Sequence, residues 1–273
     1  MTSLIRYLLA LFLAVCTLPA HAEERVDLAL VLASDISFSV GPYELDLQRR
    51  SYVNALRSPR VINAMTNGRH GQIAIAYLEW GDAKTQRLVL PWTIIDGPQA
   101  ALASADILET APLHRSGETS ISEALIAATA LFSTAPRASH WIIDISADGY
   151  NTAGAPVTEA RDQALWQGIT INGLPISTDE APELSAYFRD CVIGGPGAFL
   201  VAIDQPDDFA RALEQKMMLE IASQKATLYR ASSARKINCQ IGEQNVGKDY
   251  NRQLDDITNG QSERWSWPKD NLD

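Results

Sequence analysis

The chain has 273 residues, 46% of them hydrophobic, with 33 acids against 23 Lys and Arg and a formal charge of −10. An acidic chain is repelled by nucleic acid and anionic lipid surfaces, so neither is expected as a partner. The length suits one α/β domain with additional segments, and the apolar content is ample for a core.

The first 22 residues place Arg6 before an apolar run from Tyr7 to Val15 and end in small residues around Ala20-His21-Ala22. This is the layout of a secretory signal cleaved after Ala22, and the run is too short to span a bilayer. Val15 is a poor fit to the small residue that a lipid-modified cysteine at Cys16 would need before it. Residues 1–22 contain one Arg and no acid, so their removal takes the charge from −10 to −11. The expected location is therefore exported, periplasmic or secreted. Cys191 and Cys239 would then meet an oxidising compartment, where they could pair and staple the tail to the body, or remain two unpaired thiols. No later segment reads as a membrane helix.

Strands and helices alternate from there. "VDLALVLAS" is a continuous apolar run of strand length, as expected for a strand covered on both faces. Gly41-Pro42 opens a helix through about Arg57, with Leu45, Tyr52, Val53 and Leu56 on one side. "QIAIAYLEW" and "RLVLPWTII" are joined by the short "GDAKTQ", so they must pair antiparallel. Residues 98–109 read as a helix. After the loop "APLHRSGET", Ser120 and Glu123 form a capping box for a helix carrying Ile121, Leu125, Ala128 and Phe132 on one side. "WIIDISAD" is the next buried strand, 156–168 the next helix, and "ITINGLPIS" and "AFLVAI" two further strands. A last amphipathic helix over 206–222 turns Phe209, Leu213, Met217 and Ile221 inward. Asp144, inside an apolar strand, needs a buried partner such as Arg189 or another cation. The pattern implies a three-layer, doubly wound α/β domain over 23–225, with a mostly parallel sheet and one antiparallel edge strand. Residues 226–273 read as a polar, extended or partly disordered tail, in which Trp265 and Trp267 could dock or meet a partner.

In an open parallel sheet, ligands collect beyond the carboxyl ends of the strands. Three segments bring oxygen there: Asp35-Ile-Ser37-Phe-Ser39 after the first strand, Gly117-Glu118-Thr119 before the capped helix, and Asp148-Gly149 after "WIIDISAD". Alternation along an extended segment would put Asp35, Ser37 and Ser39 on one side. Carboxylates and hydroxyls without thiol or imidazole are hard ligands, suited to Mg²⁺, Mn²⁺ or Ca²⁺ and poorly to zinc or copper. Helix capping by the serines and an ordinary turn at Asp148-Gly149 are the plainer explanations of the same residues.

The three pieces in this order resemble the metal-ion-dependent adhesion site of von Willebrand factor A-type domains over about residues 25–222. More narrowly, "YFRDCVIGGPGAF" is similar to an uncharacterised branch of exported bacterial A-type proteins. The resemblance implies that Ser37, Ser39 and Thr119 bind a divalent ion directly, with Asp35 and Asp148 binding directly or through water. It further implies a protein partner that supplies a Glu or Asp carboxylate, without turnover; Mg²⁺ is the first expectation for the ion, with Mn²⁺ or Ca²⁺ as alternatives. Ala147 stands where many A-type domains have Thr, which bears on the outer shell of the site.

An enzyme is the competing class, in the form of a metal-dependent hydrolase of phosphate or ester groups. No Gly-x-Ser-x-Gly elbow occurs, and His70, His114 and His140 are the imidazoles after residue 22. His114 is the one placed near Thr119, and it reads as a solvated loop residue. "GEQNVGKD" falls one residue short of a phosphate loop and puts Asp249 where Ser or Thr should hold Mg²⁺.

Overall fold

Strand β1 (Arg25–Asp35) is buried at every position from Val26 to Asp35, and it pairs in parallel with β2 (Ile73–Trp80) on one edge and β4 (Arg137–Ala147) on the other. A strand with a neighbour on each edge and helices over each face has no solvent side, which is why its sequence is a continuous apolar run. Leu28, Leu30 and Leu32 enter one core with Tyr52, Leu56, Leu213 and Met217; Ala29, Val31 and Ala33 enter a second with Ile121, Leu125, Ile143 and Phe188. The two-residue period of the strand divides the run between these cores. The protein is a computed structural model in which residues 25–179, 181–205, 208–222 and 237–244 are described.

The sheet has five strands in the order β3-β2-β1-β4-β5, where β3 is Gln86–Ile95 and β5 is Thr170–Pro175. All pairings are parallel except β2 with β3, the antiparallel edge expected from the short connection. Helices α1 (Pro42–Arg57), α2 (Pro59–Thr66), α3 (Pro98–Thr110), α4 (Ile121–Leu131), α5 (Val157–Trp166) and α7 (Phe209–Ala222) cover the faces, with a short α6 (Leu184–Tyr187) that continues as a π-helical turn over Phe188–Val192. The chain moves from β1 to one side of the sheet and later to the other, so the strand order reverses between β1 and β4. At such a reversal the connecting loops part and leave a crevice.

Two elements differ from the sequence reading. Residues after Arg57 form the separate helix α2, started by Pro59 in its first turn and burying Val61, Ile62 and Met65. "AFLVAI" does not join the sheet as a regular strand. It runs beside β5 through isolated parallel bridges, Gly173 with Leu200 and Ile176 with Ile203. Pro175 lacks an amide hydrogen, and the Asn172 side chain takes the amide of Phe199 at 2.9 Å, so the ladder is interrupted. The proposed signal at 1–22, both tail tryptophans and most of "GEQNVGKD" lie outside the described residues.

Asp144 finds its cation in α7, not in Arg189, which pairs with Asp190. Lys216 Nζ lies 2.5 Å from Asp144 Oδ1 and 2.5 Å from Glu220 Oε1, and all three side chains are fully buried. Asn172 donates to the other Glu220 oxygen at 2.5 Å, and the ring of Phe199 lies against Lys216. Burial raises the Glu220 carboxyl to about 7, Lys216 opposes the rise and Asp144 adds to it. Removing the cation alone strands two buried acids, a loss of about 3–5 kcal/mol, so Lys216→Met is expected to lower the unfolding free energy from denaturant titration by that amount. Because the folded pKa of Glu220 is raised from about 4.5, its contribution is present at low pH and lost as pH climbs toward 7. Glu220→Gln should therefore gain on the parent protein between pH 5 and pH 7.5 in thermal denaturation, and a constant difference would contradict this.

Candidate functional site

Asp35 is the last residue of β1, level with Trp80 of β2, and its side chain is fully buried. Ile36 extends the pairing by one bond to the Trp80 carbonyl at 2.8 Å, and then the chain turns. The Ser37 amide donates to Asp35 Oδ1 at 2.7 Å, and the Val40 amide donates to the Ser37 carbonyl at 3.1 Å. Asp35, Ser37 and Ser39 thus come together through a tight turn, not through the extended alternation expected from their spacing. The Asp side chain accepting from an amide two residues on is a local turn-forming bond that competes with strand continuation.

The other two segments close on this turn. Thr119 Oγ1 donates to Ser37 Oγ at 3.2 Å, Ser37 and Ser39 hydroxyls lie 2.8 Å apart, and Ser39 Oγ donates to Asp148 Oδ1 at 2.6 Å. Each hydroxyl has one proton, so the chain of donors runs from Thr119 through Ser37 and Ser39 to the carboxylate. All five residues singled out in the sequence, Asp35, Ser37, Ser39, Thr119 and Asp148, are therefore in one connected cluster. Ser37, Thr119 and Asp148 are buried, whereas Ser39 is exposed and opens the cluster to solvent. Glu118 and His114 are exposed and take no part in these bonds.

Several supports were not foreseen. Gln48, buried in α1, donates to the Asp35 carbonyl at 2.9 Å and accepts from Ser146 Oγ at 2.8 Å, tying the ends of β1 and β4 together. A polar residue among the apolar positions of α1 was the available signal, since a buried amide must find partners. Gly117, with φ +50°, lets its carbonyl accept the Phe38 amide at 3.1 Å; a Cβ there would sit 2.1 Å from an Asp82 oxygen. The Thr152 amide donates to the Thr119 carbonyl at 2.8 Å, and the Thr119 amide donates to Thr152 Oγ1 at 3.2 Å, so the Asp148 loop and the Thr119 loop are locked to one another.

The electrostatics are uneven. Asp35 Oδ2 is buried and has no hydrogen-bond partner. Burial first, and the charge of Asp148 second, push the Asp35 carboxyl well above the ordinary carboxylate range, against the pull of the Ser37 hydrogen bonds. A buried carboxylate facing a second carboxylate is costly by itself, and either a proton or a cation would relieve that cost. Among the described residues there is no cluster of three or more His, Cys, Asp or Glu that could hold a metal, so any ion here would depend on hydroxyl oxygen as much as on carboxylate.

The fold is that of a von Willebrand factor A-like domain. Residues 25–225 match the family model described as Protein of unknown function (DUF1194), and the chain belongs to that family. No protein of curated function matches. Among solved structures, the chain is similar to a von Willebrand factor type A protein from Catenulispora acidiphila (19% identity, TM-score 0.52, 72% of this chain and 43% of that one). It is also similar to the pilus adhesin SpaC of Lactobacillus rhamnosus GG in its open conformation (13%, TM-score 0.55, 72% and 30%). A third is proximal thread matrix protein 1 of the mussel byssus with a zinc-occupied MIDAS motif (14%, TM-score 0.53, 72% and 46%). The chain spans less than half the length of each of these three, and at these identities the likeness shows the fold alone.

Gln48→Met keeps the shape of the side chain but removes the amide that donates to the Asp35 carbonyl and leaves the Ser146 hydroxyl only its longer bond to the Ala33 carbonyl at 3.4 Å. A loss of about 1–3 kcal/mol is expected from the two broken buried bonds, readable as a lower urea midpoint with unchanged slope. An unchanged midpoint would show that the bridge between the two strand ends carries no weight.

Proposed function

We propose that the protein is an exported A-type domain that captures a protein partner through a divalent cation, most simply Mg²⁺, held by Asp35, Ser37, Ser39, Thr119 and Asp148. The observation that carries this reading is the buried Asp35 carboxylate, its Oδ2 without a hydrogen-bond partner, joined through Ser37 to the hydroxyls that lead to Asp148. The residue types fit a hard cation, because every side-chain donor is a carboxylate or hydroxyl oxygen. Asp35 and Asp148 supply the charge; Ser37, Ser39 and Thr119 supply neutral lone pairs, so the protein offsets no more than the ion's two charges. When bound, the ion supplies a positive centre able to accept one further oxygen from outside. The exposed Ser39 marks the side from which a partner's carboxylate would approach.

The likeness in fold to a pilus adhesin supports a binding role. The rest of the chain holds the oxygens in place: Gln48 fixes the end of β1, Gly117 admits the turn, and Thr152 fixes Thr119. Zinc occupies the corresponding motif of the mussel protein, so it belongs in any comparison of ions.

Asp35→Asn separates binding from folding. It removes a buried negative charge while keeping an acceptor for the Ser37 amide, so the metal-free variant is expected to melt at a higher temperature than the parent. Mg²⁺ or Mn²⁺ at millimolar level should raise the melting temperature of the parent, and should leave Asp35→Asn unmoved. Equal cation stabilisation of both proteins would refute the assignment, and cation-dependent turnover of phosphate or ester substrates by the parent would favour a hydrolase.

A further inference from the structure

We propose that the segment 237–244 is a covalently anchored strut that positions the Asp148 loop, with Asn151 and Glu243 as positioning residues of the cation site. The inference rests on the reading of the five oxygens as that site. The anchor is the Cys191–Cys239 disulfide, which spans 48 residues with Cα atoms 5.5 Å apart. Cys191 is fully buried in the π-helical turn after α6, so the fixed end of the strut is the second core itself. The Ile237 amide donates to Asp190 Oδ2 at 3.2 Å, and Ile237 and Ile241 pack on that core beside Tyr150.

From this anchorage the strut reaches the site loop within three residues of Asp148. Gly242 lies directly over the Asn151 backbone: a Cβ added to it would stand 2.0 Å from the Asn151 carbonyl oxygen and 2.8 Å from Tyr150 Cβ. Glu243 Oε1 accepts from Asn151 Nδ2 at 2.8 Å, a contact between residues 92 apart in the chain. Asn151 is fully buried and uses its other end as well, its Oδ1 accepting the Ser122 amide in the first turn of α4 at 2.9 Å. The next residue, Thr152, makes the paired bonds to the Thr119 backbone. The disulfide, Glu243, Asn151, Thr152 and Thr119 thus form an unbroken path from the tail to a candidate ligand.

A strut that merely added core would be apolar. This one instead presents a carboxylate to the amide that sets the loop, and a glycine where only backbone fits. Fixing the orientation of groups behind a ligand is what tunes affinity at a metal centre, and losing such a group lowers it by about 10–100-fold. Entropy points the same way: tying 237–244 to Cys191 lowers the freedom it would lose on docking.

The test uses the full mature chain and Mn²⁺ alone as the probe. Glu243→Ala and Cys239→Ser should each weaken Mn²⁺ binding by about tenfold or more in calorimetry, and Glu243→Gln, which keeps an acceptor oxygen for Asn151, should restore it to within twofold. Hydrogen exchange supplies a readout independent of the ion: the Ser122 and Thr152 amides should exchange at least tenfold faster in the two weakened variants, while the β1 amides of Leu30 and Val31 stay as in the parent. If Cys239→Ser cannot be purified folded, the Glu243 pair decides the matter. Mn²⁺ uptake by the parent with unchanged affinity and exchange in the variants overturns the strut alone; no uptake by the parent overturns the cation site and the strut's role with it.

Discussion

The carboxylate of Asp35 is placed by the strand it terminates, and that strand has no solvent face. Its burial is therefore inherited from the fold. The chain could have ended β1 in an apolar residue; it ends instead in an acid whose second oxygen has no partner, with Asp148 opposite and three hydroxyls close by. A charge in such surroundings is tolerated only if something compensates it. The strand reversal between β1 and β4, the glycine turn at Gly117, the Gln48 bridge and the Thr119–Thr152 lock all serve one geometry around that oxygen.

The same principle operates deeper in the domain with a different solution. Asp144 and Glu220 are also fully buried acids, but Lys216 from α7 stands between them and supplies the positive charge from within the chain. The contrast is instructive. Where a carboxylate has a purely structural role, the sequence carries its own cation; at the Asp35 cluster the Arg115 guanidinium is spent on the Phe38 carbonyl, and the donors are carboxylate and hydroxyl oxygens of the kind that suit a hard ion.

Much of this was legible in the residues. The continuous run of β1, the short connection between β2 and β3, and the Ser120 cap each have a local cause, so the fold class and the antiparallel edge followed from pattern alone. The five oxygen residues were likewise visible because each stands at a strand or loop end. What was not legible depends on tertiary partners. The role of Lys216 lay hidden although its spacing, three after Leu213 and four before Glu220, set both charges on the inward stripe of α7. The turn at Ser37 arises from a single side-chain bond and could not be told from an extended segment. "AFLVAI" has strand composition, but Asn172 and Pro175 on its neighbour prevent a regular ladder. Asn151 and Glu243 are polar residues in turn-like sequence, 92 apart in the chain, and they meet only through tertiary contacts of the disulfide-anchored segment.

The most direct test of the central claim is to grow crystals of the protein with Mn²⁺ and measure its anomalous scattering. The account predicts a single strong peak within bonding distance of the Ser37 and Ser39 hydroxyls, flanked by Thr119, Asp35 and Asp148. A crystal that diffracts well and shows no peak there, or shows manganese only elsewhere on the surface, would contradict it.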